Sequence, residues 1–341
     1  MPNRDIIVMG ASAGGIEALL ELAPSLPADL PAAILLVVHI PESYVSHLPA
    51  LLNQRGRLPA SHPDDGQPVT PGHIFVAPPG FHLTVLDGCM RLTRGPRENS
   101  VRPAIDPLFR TAANHYRRRV VGVLLSGTLD DGTAGLLQVK MRGGVTMVQS
   151  LDDALFASMP GTALKYMEVD YTLPVSGMAA ALAALAHGHA ASHGGTSTMS
   201  RGSQEDDDDL VAQSRGRWEE GVDTADKRSV LTCPECGGVL WEMDTSTPML
   251  RFQCHTKHAY SADSLVSAQG TAAEASLWAS VRRLEEVHSL ALRLERHARD
   301  HRDTETAGAL QRRAQQAKNQ ADAVRDVILQ GGELEPEAGA A

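Results

Sequence analysis

Along its first 188 residues the chain alternates short apolar runs, rich in valine and isoleucine, with longer segments of mixed polarity. Six of the runs predict β-strands, at residues 6–9, 34–38, 73–77, 120–125, 145–149 and 171–173. Several are apolar at every position, as is typical of strands covered on both faces. Intervening segments predict helices at residues 16–22, 106–117 and 132–140. The alternation predicts an α/β domain over residues 1–188, doubly wound around a largely parallel sheet.

The pattern changes beyond this domain. Residues 189–228 are rich in glycine, serine and threonine and include an acidic run at 205–209, which predicts a flexible acidic linker rather than a calcium or partner site. A short cysteine-containing module follows at 229–265. Between 272 and 330, apolar residues recur at spacings of three and four in two segments. These segments predict an antiparallel helical hairpin with a seam of small residues, and a partner-binding helix is the alternative.

Composition narrows the class of protein. The 341 residues are too many for one ordinary domain, and 43% hydrophobic residues suffice for a sizeable core. A net charge of −10 argues against nucleic acid or an anionic membrane as the main partner. No apolar run approaches the roughly 20 residues that span a bilayer, and the N-terminus carries no export signal. Four cysteines, three of them clustered, fit a reducing compartment, so we expect a cytoplasmic protein without membrane insertion.

The first apolar run leads into GASAGG, residues 10–15. The pattern G-x-S-x-G between a strand and a helix is typical of a nucleophile elbow, which would expose the hydroxyl of Ser12 at a helix N-terminus. A dinucleotide-binding loop is the main alternative for glycines in this position. Ser12 stands where such loops need a glycine, and no tyrosine is followed four residues later by lysine. A nucleotide-binding reductase is therefore a distant alternative.

A nucleophilic serine needs a base and an orienting acid, and both types of residue follow predicted strands. His39 directly follows the strand at 34–38, and Asp130 and Asp131 follow the strand at 120–125. Open α/β sheets place their sites at the carboxyl ends of strands, so we expect these side chains to converge on Ser12. One acid is expected to cap the next helix and the other to accept the Nδ1 proton of His39.

Six segments in order resemble the catalytic domain of chemotaxis protein-glutamate methylesterases. They are GASAGG (10–15), VHIP (38–41), PGHIFVAPPG (71–80), RPAIDPLF (102–109), LSGTLDDG (125–132) and SMP (158–160). The resemblance implies Ser12 as nucleophile, His39 as base and Asp131 as orienting acid. It also implies hydrolysis of glutamate γ-methyl esters on a chemoreceptor-like protein, in relatives often joined by glutamine deamidation, with no catalytic cofactor. For the oxyanion we expect the backbone N–H groups of Ala13 and Thr128 as donors.

Two departures from the family pattern qualify this expectation. Regulated members carry a receiver domain ahead of the esterase, whereas here the first strand begins at Ile6, so control by an attached receiver is not expected. Relatives often have a glycine where this chain has Leu129, which would reshape the mouth of the site. A catalytically inactive signalling adaptor on the same fold remains the alternative to an esterase.

The cysteine module has the spacing of a metal site. Cys233 and Cys236 form a Cys-x-x-Cys pair, and Cys254 and His258 follow an expected hairpin. Three thiolates and one imidazole predict a zinc ribbon with a structural zinc, with His255 as the competing fourth ligand. We expect the C-terminal part to lie apart from the triad and to dock chemosensory partners or to regulate the enzyme.

Overall fold

The computed structural model describes residues 4–188, 228–243 and 248–330. The predicted linker, with its acidic run, and the hairpin turn expected near 244–248 therefore lie almost wholly outside the described residues. The strands of the N-terminal region are β1 (Ile6–Ala11), β2 (Ala33–Val38), β3 (Ala60–Ser61), β4 (Ile74–Val76), β5 (His82–Leu86), β6 (Cys89–Thr93), β7 (Val120–Leu124), β8 (Val145–Gln149) and β9 (Tyr171–Leu173). Its helices are α1 (Gly15–Leu22), α2 (Leu48–Arg55), α3 (Ile105–Tyr116), α4 (Thr133–Met141), α5 (Ser158–Tyr166) and α6 (Val175–Ala186).

Seven of these strands form one parallel sheet in the order β3-β4-β2-β1-β7-β8-β9. Each of the six predicted strands is present, and the doubly wound α/β prediction is confirmed. From β1 the chain builds one side of the sheet through β2 and β4, and from β7 it builds the other through β8 and β9. The strand order thus reverses between β1 and β7. Open parallel sheets bind ligands at the carboxyl ends of the strands beside such a reversal.

Strand β1 shows why the predicted runs are apolar throughout. Ile7 and Met9 pack with α1, α2 and α6 on one face of the sheet. Ile6 and Val8 pack with α3, α4 and α5 on the other face. Because successive side chains of a strand face opposite ways, a strand between two helical layers is apolar at every position.

Several elements were not predicted from the sequence. The helices α2, α5 and α6 are among them, and α6 is so rich in alanine and leucine that it has no polar face to reveal its periodicity. The antiparallel hairpin of β5 and β6 was also missed. Its turn residues Asp87 and Gly88 both have positive φ, 50° and 77°, which is the geometry that an Asp-Gly turn favours. That dipeptide was a usable indication of the hairpin.

The C-terminal region begins with a four-stranded antiparallel sheet of β10 (Arg228–Thr232), β11 (Val239–Glu242), β12 (Arg251–Cys254) and β13 (Ala259–Ser261), here called the ribbon. Two helices follow, α7 (Ala262–Asp300) and α8 (Thr304–Gln330), and α7 begins earlier than the expected residue 272. The contacts of the chain divide it into two units between Leu265 and Val266, so the ribbon belongs to the first unit.

Within the second unit α7 and α8 run antiparallel. His288 bonds through Nδ1 to the carbonyl oxygen of Ala314, 2.9 Å away, and Arg299 donates to Gln311 near the turn. The alanines Ala307, Ala314, Ala317 and Ala321 are buried along α8. The helical hairpin with a small-residue seam is therefore present. Among the described helices, none is both long enough and apolar enough to cross a membrane.

Candidate active site

Ser12 lies in the turn between β1, which ends at Ala11, and α1, which begins at Gly15. The turn is possible because Gly14 adopts a left-handed conformation with φ of 70°. A Cβ atom at Gly14 would also lie only 2.7 Å from the hydroxyl oxygen of Ser126. A larger residue at this position is therefore excluded both by its conformation and by its neighbours. This strand–turn–helix arrangement is the one expected of a nucleophile elbow.

His39 connects Ser12 to Asp131. Its Nδ1 atom lies 3.1 Å from the Ser12 hydroxyl oxygen, and its Nε2 atom lies 2.8 Å from Oδ2 of Asp131. Because a carboxylate only accepts hydrogen bonds, Nε2 carries the proton and donates it to Asp131. The lone pair of Nδ1 then accepts the hydroxyl proton of Ser12.

The orientation of the imidazole corrects the expectation that Nδ1 faces the acid. β2 lies directly beside β1, and the backbone N–H of His39 donates to the carbonyl of Ala11 at 3.2 Å. The nitrogen nearer the backbone, Nδ1, therefore meets the serine that follows β1. Asp131 follows β7, on the far side of β1, and only the more distant Nε2 reaches it.

Asp131 is buried, with 4% of its side chain exposed, and is surrounded by donors. Oδ2 accepts the N–H of Ile105 at 2.6 Å in addition to the bond from His39, and Oδ1 accepts the Asn99 side-chain amide at 2.9 Å. The carboxylate therefore lies at the N-terminus of α3, where free N–H groups and the helix dipole favour negative charge. Burial alone would raise the pKa of Asp131, but the bonds from His39, Ile105 and Asn99 hold it below its ordinary value.

Neither of the adjacent acids caps the next helix through its side chain, contrary to our expectation. The N-terminus of α4 is capped instead by Asp106 of α3, whose Oδ1 accepts the N–H of Gly135 at 2.7 Å. The side chain of Asp130 is buried and accepts the hydroxyl of Ser264 at 2.6 Å. Local sequence could not indicate these partners, because Asp106 caps α4 and Asp130 bonds to the first turn of α7, and both helices are distant from these acids in the chain.

Asn99 and Asp106 join this network, and the sequence had predicted a role for neither of them. The side-chain amide of Asn99 donates to Asp131 and also to Oδ2 of Asp106, at 3.3 Å. Burial raises the pKa of Asp106 to about 6, although the guanidinium of Arg251 opposes the rise. Asp106 lies within the RPAIDPLF segment, which could have drawn attention to it, whereas Asn99 lies in a loop without a recognisable motif.

The expected oxyanion donors lie in the two turns beside Ser12. A Cβ atom at Gly127 would lie 3.0 Å from Cβ of Ser12, so the backbone that leads to Thr128 is in contact with the serine. Among the described residues, the N–H groups of Ala13 and Thr128 have no hydrogen-bond partner and are free to bind an oxyanion. The neighbouring Leu129 has a φ of 61° and is 39% exposed. A left-handed conformation at this position favours glycine over leucine.

The four expected metal ligands come together in the ribbon. One ligand atom from each of Cys233, Cys236, Cys254 and His258 lies within 4.8 Å of every other. The Sγ atoms of Cys236 and Cys254 are 3.7 Å apart, close to the edge of about 3.8 Å of a tetrahedron with Zn–S arms of about 2.3 Å. A bond from Thr256 and one from the Gly238 N–H lower the pKa of Cys236 to about 6, which favours the thiolate. These residues could hold a metal ion, and His255 is outside the group.

We expected the C-terminal part to lie apart from the triad, but the ribbon contacts the residues around Asp131. Arg251 of β12 pairs with Asp106 at 3.1 Å, and the N–H of Ser261 of β13 donates to the Asn99 side chain at 3.0 Å. The expectation of a separation was based on the long distance in sequence between the ribbon and the three site residues. Strand β13 pairs with the loop that carries Asn99 and so brings the two regions together.

Residues 7–182 match the family model of the CheB methylesterases. The protein-glutamate methylesterase/protein-glutamine glutaminase 2 of Anaeromyxobacter dehalogenans is 38% identical over 178 residues, 52% of this chain and 52% of that protein. The protein-glutamate methylesterase/protein-glutamine glutaminase of Pyrococcus horikoshii is 34% identical over 179 residues, 51% of this chain and 49% of that protein.

The fold has a solved counterpart. The crystal structure of the Thermotoga maritima CheB methylesterase catalytic domain matches with a TM-score of 0.51 and 32% identity, and it covers 53% of this chain and 98% of that one. The chain spans about half the length of the curated relatives that it matches. The family profile covers slightly more than half of its 341 residues, including the segments that carry Ser12, His39 and Asp131. The chain belongs to the CheB methylesterase family.

Proposed function

We propose that this chain is a serine hydrolase that removes methyl groups from glutamate γ-methyl esters of a chemoreceptor-like protein. The observation that carries the proposal is the continuous hydrogen-bonded path from the Ser12 hydroxyl through His39 to Asp131. The names of the two curated relatives support the same reaction. The comparisons lend no support to an inactive adaptor or to a reductase.

The reaction begins when Ser12 Oγ attacks the ester carbonyl and its proton passes to Nδ1 of His39. The resulting imidazolium is stabilised by Asp131, which accepts the Nε2 proton. The oxyanion of the tetrahedral intermediate accepts bonds from the N–H groups of Ala13 and Thr128. Each such donor typically lowers the barrier by about 3 kcal/mol.

Collapse of this intermediate breaks the bond to the methoxy group, which leaves as methanol with the proton held by His39. An acyl-enzyme on Ser12 remains. Water then attacks the acyl carbon while His39 takes one of its protons, and return of that proton to Ser12 releases the glutamate side chain. A glutamine side chain enters the same sequence with ammonia as leaving group, so we extend the proposal to deamidation.

We assign the metal site to a structural zinc. Three thiolates and one imidazole are the donor set of structural zinc, and four protein ligands complete its coordination. Zinc bound there would fix the ribbon fold. The hydrolysis proposed for Ser12 uses no catalytic cofactor.

The domain boundaries and the setting are part of the same proposal. We assign residues 1–188 to catalysis, 189–228 to a linker that ends at the first residue of β10, and 229–265 to the module that contains the ribbon. We assign residues 272–330 to a helical hairpin that binds chemosensory partners, and its first helix extends back to Ala262 in the structure. We place the protein in the cytoplasm, where the cysteines would stay reduced and the signalling ends of chemoreceptors are accessible.

Methanol release from a receptor fragment carrying labelled methyl esters tests the activity. We expect the intact chain to release methanol and Ser12→Ala to lose at least about 1,000-fold in rate, as removal of a serine nucleophile typically does. Ser25→Ala, an exposed serine outside the site, is the matched control and should match the wild type. Undiminished release by Ser12→Ala would contradict the assignment of the nucleophile.

A further inference from the structure

The ribbon supplies a buried positive charge to the acidic network around Asp131. Arg251, 7% exposed, lies on β12. One terminal nitrogen is 3.1 Å from Oδ2 of Asp106, and the other is 3.3 Å from Oε2 of Glu98. Buried carboxylates are stable as anions only when charges or donors compensate them.

Without the ribbon this compensation would be incomplete. Three buried or nearly buried carboxylates, Glu98, Asp106 and Asp131, lie close enough to influence one another. On the catalytic domain, Arg110 compensates Glu98 through two bonds, at 3.2 and 2.8 Å. Arg251 pairs directly with Asp106, and its attraction lowers the pKa of that carboxyl against the effect of burial, while Arg110 also attracts Asp106.

The ribbon also fixes the backbone of Asn99. The N–H of Asn99 donates to the carbonyl of Ala259 at 2.8 Å, and the N–H of Ala259 donates to the carbonyl of Arg97 at 3.3 Å. Residues 97–99 thus extend the ribbon beside β13, with a bridge between Glu98 and Ala259. Asn99 is held in a left-handed conformation, with φ of 52°, which asparagine tolerates better than most residues.

Both ends of the Asn99 amide are occupied. Its oxygen accepts the N–H of Ser261, and its nitrogen donates to Asp131 and Asp106. The orientation of the amide is therefore determined, because only its nitrogen can donate to carboxylates and only its oxygen can accept an N–H. Asn99 transmits the position of β13 to the Oδ1 atom of Asp131, while Oδ2 of the same carboxylate accepts the bond from His39.

The metal cluster lies on the same short segments. Arg251 and Cys254 are the two ends of β12, and His258 directly precedes Ala259, the first residue of β13. A metal ion that joins Cys254 to His258 would therefore hold together the two strands that carry Arg251 and Ser261. Loss of the ion would free both contacts to the catalytic domain.

We propose that the metal-held ribbon positions the Asp131 carboxylate for His39, with Arg251 and Asn99 as the positioning residues. The inference rests on the proposed esterase activity. Arg251 fixes Asp106, Asn99 connects Asp106 and the ribbon to Asp131, and Asp131 orients the imidazole. Neither residue contacts the Ser12 hydroxyl, so loss of Arg251 lowers kcat and leaves KM nearly unchanged.

The test compares Arg251→Met, Arg251→Lys and Asn99→Ala in the full chain with the wild type. A small methyl ester gives kcat and KM, and the downfield proton resonance of the His39 Nε2–H bond reports on the contact with Asp131 directly. We expect Arg251→Met and Asn99→Ala to lower kcat by about 10- to 100-fold, as loss of orientation typically does, with KM within about twofold. Arg251→Lys, which keeps the charge, recovers part of kcat.

The matched control is Arg91→Ala. Arg91 forms an exposed ion pair with Asp65 on the catalytic domain, 3.3 Å apart, and has no contact with the ribbon among the described residues. We expect its kcat and His39 resonance to equal those of the wild type. Removal of metal from the wild type by a chelator lowers kcat at least to the level of Arg251→Met, because it frees both contacts, and removal from Arg251→Met costs less than it does in the wild type.

Wild-type kcat and an unchanged resonance in a folded Arg251→Met would overturn the inference, and so would additive effects of chelation and substitution. Should Arg251→Met fail to fold, Asn99→Ala and chelation of the wild type decide the matter by the same measurements. A wild-type chain that shows the resonance but hydrolyses no ester refutes the proposed function alone. The positioning is then judged by whether Arg251→Met shifts the resonance.

Discussion

Arg251 and Asp106 lie 145 residues apart in the chain, and their side chains form a buried ion pair with a nitrogen–oxygen distance of 3.1 Å. Asp106 contacts the same asparagine amide as Asp131, so this pair connects a ribbon strand to the acid at the end of the Ser12–His39–Asp131 path. The same polar contacts therefore attach the ribbon to the catalytic domain and hold the carboxylate of Asp131.

The charge of Asp131 is essential if it stabilises an imidazolium. Asp131→Asn keeps the shape of the side chain but removes the negative charge. The new amide NH2 would also face a second donor, either Nε2–H of His39 or the side-chain amide of Asn99, so one of these hydrogen bonds would be lost. We expect kcat to fall by roughly 10,000-fold, as loss of the acid does in serine hydrolases of this type. Steady-state kinetics with a methyl ester measure the effect, and a loss below tenfold would show that Asp131 does not orient His39.

Arg251 should stabilise the fold in a pH-dependent manner through Asp106. The pKa of Asp106 is about 6 in the folded chain against an ordinary 3.8, so the group costs stability as the pH rises between these values. Without Arg251 the pKa of Asp106 in the folded chain rises further, and the loss in the free energy of unfolding continues to higher pH. Arg251→Met should therefore destabilise most above pH 6, by about 3 kcal/mol, as loss of one partner of a buried pair typically does.

Urea unfolding of the wild type and Arg251→Met at pH 5 and pH 8 measures this difference. Part of the loss persists at the lower pH, because Arg251 also pairs with Glu98. The exposed pair of Arg91 and Asp65 provides the comparison, and Arg91→Ala should cost less than about 1 kcal/mol at either pH. An equal loss for Arg251→Met at both pH values would contradict the coupling to Asp106.

Leu129 is the residue whose conformation is least suited to its type. At a φ of 61° a leucine costs about 1–2 kcal/mol relative to glycine, whereas glycine costs about 0.5–1 kcal/mol through its freedom in the unfolded chain. Leu129→Gly should therefore leave the protein equally stable or up to about 1.5 kcal/mol more stable. Thermal unfolding measures the change. A destabilisation above 1 kcal/mol would mean that contacts of the half-exposed side chain outweigh its strain.

The metal cluster can be examined by cobalt substitution. Three thiolates and one imidazole around Co²⁺ should give the intense visible absorption of a tetrahedral site and sulfur-to-metal charge transfer in the near ultraviolet. Cys236→Ser should weaken both bands and lower the affinity for metal. Cys89→Ser, on β6 and outside the cluster, should leave the spectrum unchanged. An octahedral spectrum would contradict the four-ligand site.

Interactions between residues that follow neighbouring apolar strands can be predicted from a sequence. Ser12 and His39 directly follow continuous apolar strands that are adjacent in the sheet, so pattern alone predicted that they would meet. Asp131 required one further step, because the pattern did not distinguish it from Asp130 and only the family resemblance chose between them. The ribbon ligands were predicted by their spacing, and the structure brings the same four residues together.

Asn99 and Arg251 could not be predicted in the same way. Asn99 acquires its role from a left-handed backbone and from pairing with a strand that begins 160 residues later in sequence, at Ala259. Arg251 is a charged residue in a strand that is buried at every position, and the sequence does not show that this strand is buried. Tertiary contacts of this kind leave no periodicity in the local sequence. The expected separation of the ribbon from the site was wrong for the same reason.

The most direct test of the central claim is covalent labelling of the intact chain with a fluorophosphonate, followed by mass spectrometry of the labelled peptide. The hydrogen-bonded path from Ser12 to Asp131 predicts one adduct, on Ser12, with a rate that falls by orders of magnitude in His39→Ala. An unlabelled Ser12, or a rate that is unaffected by the loss of His39, would show that the imidazole does not activate this hydroxyl.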